Sequence, residues 1–449
     1  MHTKRIFGAA ALAAAVAWAA PARADDDLRS MIRAEVAAAL AEAKPAKEEK
    51  KDDKKDDSTF KVYWKNGLRL DTKDKSVQLK IGGRIMFDAA FYSDDDYQDA
   101  TGVDLEDGVE FRRVRLYNSG KIGKHVAFKI QIDWASPTDE FSLKDVYIDL
   151  ANLGDCFGCG FPNLRFGHFK VPYSLEEQTS SKYITFMERS LANTLSPARQ
   201  NGMMAYDSLL GGQLNYGVGV FANDTDDGED GNFEENGYSY AARVTWTPWY
   251  DCECKCNRWH IGASLWQREE IDEVRYRSRP ESHVTSHRPV DTGDFDAEAT
   301  THIGFETALI YGPWTVAGEY QIAQVDSVAA GDPEFTAWYG QVAYWITGEC
   351  DVYKEGYLDR VAPCCDWLDE ECCCKGGWQI AARVSSIDLN DGNFQGGEMM
   401  TYTLGLNWHL NPNTRIMFNA VYADVDSTRG GAPVDESFLA FQMRFQVDW

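Results

Sequence analysis

From Phe60 to the end of the chain, apolar and polar residues alternate with a period of two. Between residues 77 and 88, for example, valine, leucine, isoleucine and phenylalanine alternate with glutamine, lysine, arginine and aspartate. The same alternation recurs at residues 126–134, 238–246 and 401–409. This is the period of a β-strand whose two faces meet different surroundings. Each stretch is about ten residues long, the length that a tilted strand needs to cross a bilayer.

Sixteen such segments can be counted, and the connections between them differ in length. Long acidic loops, such as residues 93–108 and 223–236, follow odd-numbered segments. Tight turns, such as residues 122–124 and 411–413, follow several even-numbered ones. An even number of strands closes an antiparallel barrel without an unpaired edge. The segments begin near residues 77, 109, 125, 142, 163, 201, 214, 237, 258, 301, 314, 335, 378, 399, 414 and 436.

The fold class that this pattern predicts is all-β, a 16-stranded antiparallel transmembrane β-barrel over residues 60–449. Tryptophan and tyrosine near the segment ends, for instance Trp246, Tyr311 and Trp408, are typical of interfacial aromatic girdles. The alternating, aromatic last strand looks like the signal that the outer-membrane insertion machinery reads. A secreted β-sandwich or propeller would need turns of similar length at both ends, and the chain has no blade-like repeat.

The N-terminus has the pattern of a signal peptide. Two basic residues precede an apolar, alanine-rich stretch that ends in Ala22-Arg23-Ala24. Signal peptidase needs small residues at such a site, so residues 1–24 are predicted to be removed on export.

Residues 25–59 are predicted to be a periplasmic helical stalk followed by a charged linker. Leu28, Ile32, Val36 and Leu40 are spaced four residues apart, which predicts a short helix with one apolar stripe and a possible coiled coil. Residues 44–57 mix lysine with acidic residues and lack apolar side chains that could form a core, which is typical of a solvated spacer.

The composition excludes several classes of protein. With 71 acidic and 45 basic residues the net charge is −26, and nucleic acid binding needs clustered lysine and arginine instead. No run of about 18 apolar residues follows the N-terminus, which excludes helical membrane proteins. The short motifs of hydrolases, metalloproteases and nucleotide-binding enzymes are not found, so neither an enzymatic activity nor a cofactor is expected.

Several stretches resemble the phosphate-selective porin O and P family. The most specific is Thr179–Leu191 (TSSKYITFMERSL), and others are residues 80–84 (KIGGR), 110–116 (EFRRVRL) and 167–172 (GHFKVP). The resemblance covers nearly all of residues 60–449 and implies a homotrimeric sixteen-stranded pore for anions in the outer membrane. It also implies that the loop at about 173–200 folds inward as a constriction, and that lumen lysines and arginines select phosphate or polyphosphate.

Alternation with the apolar face indicates which cations point into the lumen, and these positions are more often basic than acidic. Arginine and lysine replace part of an anion's hydration shell with charge-assisted hydrogen bonds. Several such positions along a pore can bind the anion one after another as it passes. The candidate pore-lining and anion-binding residues are Lys80, Arg84, Arg113, Arg115, Lys129, Lys170, Lys182, Arg189, Arg199, Arg243, Arg383 and Arg444.

Two alternatives remain open. Lumen arginines and aspartates could pair across the barrel and leave a non-selective or cation-preferring pore. The N-terminal helix could then give the protein a structural role as an envelope tether in contact with peptidoglycan. The acidic outer loops could contact lipopolysaccharide through divalent cations, or be only a solvated surface. The expected partners are therefore inorganic anions such as phosphate and chloride, together with outer-membrane lipid.

Eleven cysteines form three clusters, each after an even-numbered segment and so on the predicted periplasmic side. In an oxidising compartment, disulfides within or between these turns are the default. The alternative to disulfides for the last cluster is a metal site with thiolate ligands, although neighbouring cysteines cannot all face one ion. That possible cluster consists of Cys364, Cys365, Cys372, Cys373 and Cys374.

Overall fold

The computed structural model describes most of the chain beyond residue 59. The described residues are 60–135, 141–157, 160–223, 225, 231, 237–251, 256–368, 375–392, 394–427 and 434–449. The predicted signal peptide, stalk helix and linker of residues 1–59 lie outside them and stay predictions. Within the described part of the chain, no helix is long and apolar enough to span a membrane.

The described chain is mostly β-structure, as its period-two pattern predicts. Its strands are β1 (Phe60–Trp64), β2 (Leu68–Thr72), β3 (Val77–Ser93), β4 (Gly108–Ile122), β5 (Val126–Asp133), β6 (Ser142–Leu150), β7 (Asn163–Lys170), β8 (Arg199–Leu209), β9 (Leu214–Ala222), β10 (Tyr238–Tyr250), β11 (Asn257–Glu269), β12 (Glu273–Val274), β13 (Arg277–Ser278), β14 (Val290–Asp291), β15 (Phe295–Asp296), β16 (Ala299–Tyr311), β17 (Trp314–Asp326), β18 (Glu334–Trp345), β19 (Val352–Lys354), β20 (Tyr357–Asp359), β21 (Gly377–Asp391), β22 (Phe394–Asn411), β23 (Thr414–Ser427) and β24 (Val434–Asp448). Its helices are α1 (Asp95–Thr101), α2 (Gly154–Phe157) and α3 (Leu175–Gln178), with 3-10 turns at Leu191–Leu195 and Leu210–Gly212.

Sixteen of these strands form a closed antiparallel barrel, which confirms the predicted fold class and the predicted segments. Strands β3–β11, β16–β18 and β21–β24 each pair with the next barrel strand. The ring closes where β24 pairs with β3, from Leu439 opposite Ser93 to Asp448 opposite Arg84. Closure satisfies the backbone groups that an open edge would leave unpaired.

Apolar side chains of the barrel strands point outward and polar ones inward, the reverse of a soluble protein. In β24, Phe441 is 52% and Phe445 is 44% exposed, whereas Arg444 is 0% and Gln446 is 4% exposed. An apolar outer band of this kind is stable against lipid, and the polar face then lines an enclosed lumen.

The two ends of the barrel differ. Tight turns such as residues 123–125, 312–313 and 412–413 lie at one end, which we call the short-turn end. At the opposite, long-loop end, α1 and the small hairpins of β12–β15 belong to loops with an apolar core. In that core the ring of Tyr276 lies 5.4 Å from that of Phe335, and the ring of Tyr97 lies 5.0 Å from that of Phe438. Because Phe335 and Phe438 are buried barrel residues, these loops occupy part of the mouth.

Two features at the short-turn end were not among the sixteen predicted segments. The hairpin β1–β2 extends the wall by pairing β2 with the start of β3, from Leu68 opposite Ile81 onward. The connection 346–376 is not a tight turn, because it contains the hairpin β19–β20. The strands of these hairpins have five and three residues. Such lengths are too short for an alternation to stand out in the sequence.

One glycine lets the last residue close the barrel. Gly83 N donates to Trp449 O at 3.0 Å, and Trp449 N donates to Gly83 O at 3.1 Å. A Cβ at Gly83 would lie 2.5 Å from Trp449 Cζ2 and 2.7 Å from Arg115 O. Since one of these atoms belongs to the backbone, a side chain at this position must displace either the indole ring or strand β4.

We expect Gly83→Ala to lower the free energy of unfolding by about 1–3 kcal/mol, the usual cost of overpacking. The measurement is urea unfolding followed by the shift in gel migration between the folded and unfolded barrel. Gly340→Ala in β18 is the matched control, because a Cβ there would meet open space. Equal destabilisation by both substitutions would show that Gly83 has no special role in closure.

Candidate functional site

The chain between β7 and β8 folds into the barrel as one inserted loop, residues 171–198. Val171 N donates to Ala198 O at 3.1 Å and closes its base. Helix α3 forms its first turn, where Ser174 Oγ accepts from Glu177 N at 3.1 Å. This is the segment for which the family resemblance implied an inward fold.

Inward side chains of the β21–β24 sector hold the inserted loop by its backbone. Arg415 Nη1 donates to Ile184 O at 2.9 Å, and Asn407 Nδ2 donates to Thr185 O at 2.8 Å. An irregular segment has no ladder of its own, so its buried carbonyls need donors of this kind. The inserted loop therefore lies against one side of the lumen.

Carboxylates of the inserted loop add ion pairs to these contacts. Arg383 Nη1 lies 3.2 Å from Glu176 Oε1, and its Nη2 donates to Glu188 O at 3.1 Å. Glu176 Oε2 accepts from Ser190 Oγ at 2.7 Å, which also fixes the fold of the loop itself. Arg383 is only 3% exposed, and its Nη2 also pairs with Glu281 Oε2 at 2.5 Å, so its charge is compensated both by the inserted loop and by a loop of the long-loop end.

Glu188 is the strongest point of attachment. Arg112 donates to both oxygens of Glu188, at 2.9 and 3.0 Å, and Arg444 Nη2 lies 2.6 Å from Glu188 Oε1. Arg444 also donates to both oxygens of Asp88, at 2.7 and 2.6 Å. Burial by itself would raise the pKa of Glu188, but the guanidinium groups of Arg112, Arg113 and Arg444 outweigh it. They hold the pKa well below the usual value, so this carboxylate stays ionised.

Lys182 points from the inserted loop toward the wall. Its Nζ lies 3.1 Å from Asp448 Oδ2 on β24. Burial lowers the pKa of Lys182 to about 7, although the Asp448 carboxylate opposes that shift. Lys182 therefore changes its charge near neutral pH.

The inserted loop leaves open a cavity of about 580 Å³ beside strands β3–β10. The lining is strongly unbalanced in charge, with nine cationic side chains against three carboxylates. The cations are Arg84, Arg113, Arg115, Lys129, Arg165, Lys170, Arg189, Arg199 and Arg243, and the carboxylates are Asp145, Asp207 and Glu355.

Eight of the twelve candidate residues line this cavity, and four lie elsewhere. Lys182, Arg383 and Arg444 hold the inserted loop. Lys80 lies near the short-turn end, with its Nζ 5.2 Å from the centre of the Tyr117 ring. The eight that line the cavity are Arg84, Arg113, Arg115, Lys129, Lys170, Arg189, Arg199 and Arg243.

Several of the lining cations have carboxylate partners in the wall or the inserted loop. Arg115 Nε lies 2.6 Å from Asp133 Oδ2, and Arg199 Nε lies 2.7 Å from Asp145 Oδ1. The other oxygen of Asp145 pairs with Lys129 Nζ. Other pairs join Arg243 to Glu306, and Lys170 and Arg189 to Glu177. These partners lower the net positive charge of the cavity and fix the direction of each side chain.

Arg84 differs from these residues. Its Nη1 donates to Ser181 Oγ at 2.6 Å, and among the described residues no carboxylate lies within ion-pair distance. The buried Nε atoms of Arg84 and Arg113 have no hydrogen-bond partner within the described part of the chain. These Nε atoms are themselves out of reach of solvent, so only the other guanidinium N–H groups of Arg84, which lines the cavity, can face a solute.

Three groups of residues at the site were missed by strand alternation. Arg165 lies 3.9 Å from the centre of the Tyr147 ring and pairs with Asp149. Alternation does not predict an inward position for Arg112. A bulge in the pairing of β3 with β4 turns this residue inward beside Arg113. Such a shift of register cannot be read from alternation alone.

The third group lies in the loop at the long-loop end. There a second cavity, of about 230 Å³, is lined by Arg112, Arg189, Arg277, Arg279 and Arg288. Arginine at every second position of residues 275–279 was the available signal, but the stretch is flanked by polar residues and has no strand pattern. Arg189 borders both cavities, so cationic side chains follow one another from the mouth inward.

The structure describes the side chains of four cysteines, Cys256, Cys350, Cys364 and Cys365. A disulfide joins Cys256 to Cys350, which confirms the expectation of bridges between these turns. In the possible thiolate cluster, Cys365 is disulfide-bonded and Cys364 is exposed. Cys372, Cys373 and Cys374 lie outside the described residues, so that metal site remains a prediction.

Comparison with known sequences gives a consistent result. The sequence model of the family described as phosphate-selective porin O and P matches residues 79–449. Porin O of Pseudomonas aeruginosa is 27% identical over 399 residues, which cover 81% of this chain and 86% of that protein. An uncharacterized protein of Caulobacter vibrioides is 26% identical over 386 residues, 83% of this chain and 73% of that protein.

Solved structures share the fold at low sequence identity. OmpT, an outer membrane protein of Vibrio cholerae, aligns with a TM-score of 0.52 at 11% identity, over 83% of this chain and 98% of that one. An anion-selective porin from Comamonas acidovorans aligns with a TM-score of 0.51 at 13% identity, over 83% of this chain and all (100%) of that one.

We expect Glu188→Gln to lower the free energy of unfolding by about 3–5 kcal/mol, because buried arginines lose their counter-charge. Since its pKa lies well below the usual carboxylate value, Glu188 should stabilise the folded barrel at neutral pH, begin to lose this effect as the pH falls below that usual value, and lose it fully only in strong acid. Unfolding measured between about pH 7 and pH 3 in both proteins tests this. The control is Glu106→Gln, which removes an exposed carboxylate. A variant as stable as wild type at pH 7 would contradict the assignment.

Proposed function

This chain belongs to the phosphate-selective porin O and P family and is a porin of the outer membrane, and we propose that it passes small anions, with phosphate or polyphosphate preferred. The supporting observation is the excess of nine cations over three carboxylates along the cavity of about 580 Å³ beside the inserted loop. Short turns of outer-membrane barrels face the periplasm and long loops face outward. The path therefore runs from the arginines of the mouth past Arg189 and Arg84 to the periplasmic end.

The net charge of −26 does not oppose this proposal. Ion passage depends on the charge that lines the narrow part of the pore, and the inward face of β3–β10 is basic. Close to the wall, water is partly excluded and an arginine interacts with an anion more strongly than it does at the surface. The acidic residues of the outer loops are screened by salt over about 8–10 Å.

Paired and unpaired arginines have different tasks in this scheme. Arg199 and Arg115 stay in place through their carboxylates and present only their remaining donors to a passing ion. Arg84 lines the cavity without a carboxylate partner among the described residues, so it keeps guanidinium donors for a passing ion. Two oxygens of a phosphate ion fit the two parallel donors of a guanidinium group. Neighbouring cations compete for the same ion and keep its binding weak enough for release.

The trimeric state that the family resemblance implies, and a contact of the acidic outer loops with lipopolysaccharide, belong to the same proposal. Chloride is expected to pass as well, since the cations are arranged along a path rather than as a closed cage.

The function is tested by the reversal potential of the purified protein in a planar bilayer under a KCl gradient, followed by addition of phosphate. We expect an anion-directed potential and a chloride current that phosphate blocks. A cation-directed potential would overturn the proposal and favour the cation-preferring alternative.

Arg84→Gln should raise the phosphate concentration that halves the chloride current by about tenfold or more, because a hydrogen bond to a charged group contributes about 1.5–3 kcal/mol. Lys124→Gln is the control, since it removes one positive charge from an exposed turn at the short-turn end. If both variants shift the block equally, the arginine acts only through the overall charge of the protein.

A further inference from the structure

The periplasmic end of the cavity is formed by the hairpin β19–β20, which is held firmly in the lumen. Tyr353 Oη lies 2.8 Å from His260 Nδ1, and Leu358 N donates to Thr179 Oγ1 of the inserted loop at 3.2 Å. The disulfide between Cys256 and Cys350 fixes the chain just before the hairpin. A hairpin tied to the wall, the inserted loop and a neighbouring turn is a fixed part of the pore wall.

The tip of this hairpin is a two-residue turn that contains an uncommon residue for its backbone. Glu355 and Gly356 are the two turn residues, with φ angles of 45° and 95°. A two-residue turn with two positive φ angles favours asparagine, aspartate or glycine, and glutamate is disfavoured there. Backbone strain of this kind persists where the surroundings enforce it and is concentrated at functional positions.

The neighbouring contacts place the Glu355 carboxylate at the exit. Gly356 O accepts a hydrogen bond from Arg243 Nη2 at 2.6 Å, and this bond holds the tip of the hairpin next to β10. Glu355 itself is exposed, lines the cavity, and has no ion pair or side-chain hydrogen bond among the described residues. It is thus a free carboxylate in a cavity whose other lining charges are mainly positive.

The balance between cationic side chains and carboxylates changes toward the periplasmic end of the cavity. Arg243 is paired with Glu306, and Arg165 is paired with Asp149. Asp207 near the end of β8 adds a further carboxylate to Glu355. The middle of the cavity therefore carries Arg84, which has no carboxylate partner among the described residues, while the periplasmic end carries paired arginines and the further carboxylates Asp207 and Glu355.

We infer that Glu355 is a release residue, whose carboxylate repels the anion at the periplasmic end and so sets how strongly the pore retains phosphate. This inference rests on the proposed function. A conducting site must bind the ion strongly enough to admit it and weakly enough to let it leave. A fixed negative charge at the exit weakens retention without removing the arginines that attract the anion.

The test uses the full-length protein in planar bilayers, with phosphate added on the periplasmic side and the half-blocking concentration for chloride current as readout. Glu355→Asn removes the charge and keeps a residue suited to the turn. We expect it to lower the half-blocking concentration by about threefold to tenfold, the effect of one unit charge a few ångströms away in water. Glu355→Asp keeps the charge and should behave as wild type.

Asp155→Asn is the matched control, because it removes one exposed carboxylate from α2 at the same end of the barrel, outside the cavity lining. The inference is overturned if Glu355→Asn leaves the block unchanged, or if Glu355→Asp or Asp155→Asn shifts it as much. A wild-type protein that phosphate does not block would instead refute the proposed function, so the two failures are distinguishable.

Discussion

The compensation of buried charge across the lumen is the interaction on which the rest of this structure depends. A lipid-facing barrel must turn its polar residues inward, and here many of those residues are arginines with little access to water. Removing one partner of a buried ion pair is costly because the other charge stays behind. Glu188 and Glu176 of the inserted loop supply counter-charges to Arg444 and Arg383. The position of the loop, and hence of the open path beside it, follows from these pairs.

Arginine thus has two roles in the lumen, and the distance to the nearest carboxylate distinguishes them. Arg383 and Arg444, held between carboxylates, act as fixed supports of the inserted loop. Arg84, with only Ser181 Oγ at 2.6 Å, keeps donors for a solute. A charge count over the whole chain hides this division, because the acidic majority lies in the outer loops or is used inside as counter-charge.

Charge also varies along the pore. Arginines of the long-loop end border the inserted loop, Arg84 lies in the middle without a carboxylate partner among the described residues, and the fixed hairpin brings a carboxylate to the short-turn end. The disulfide at Cys256 and Cys350 belongs to this arrangement, since it joins the hairpin's connection to the wall. Under the proposed function, this arrangement would attract an anion at the entrance and retain it less strongly at the exit.

The sequence by itself determined the barrel, because one face of every strand meets lipid and the other meets water, and this difference repeats every second residue. It therefore predicted all sixteen strands and proposed candidates for the inward cations. Short hairpins such as β19–β20 have too few residues to show the repeat, and the bulge at Arg112 breaks it. Only the tertiary structure decided which cations are paired, since Arg444 finds Asp88 and Glu188 from distant parts of the chain. Whether an arginine supports the fold or faces the pore depends on such long-range contacts, which no local pattern encodes.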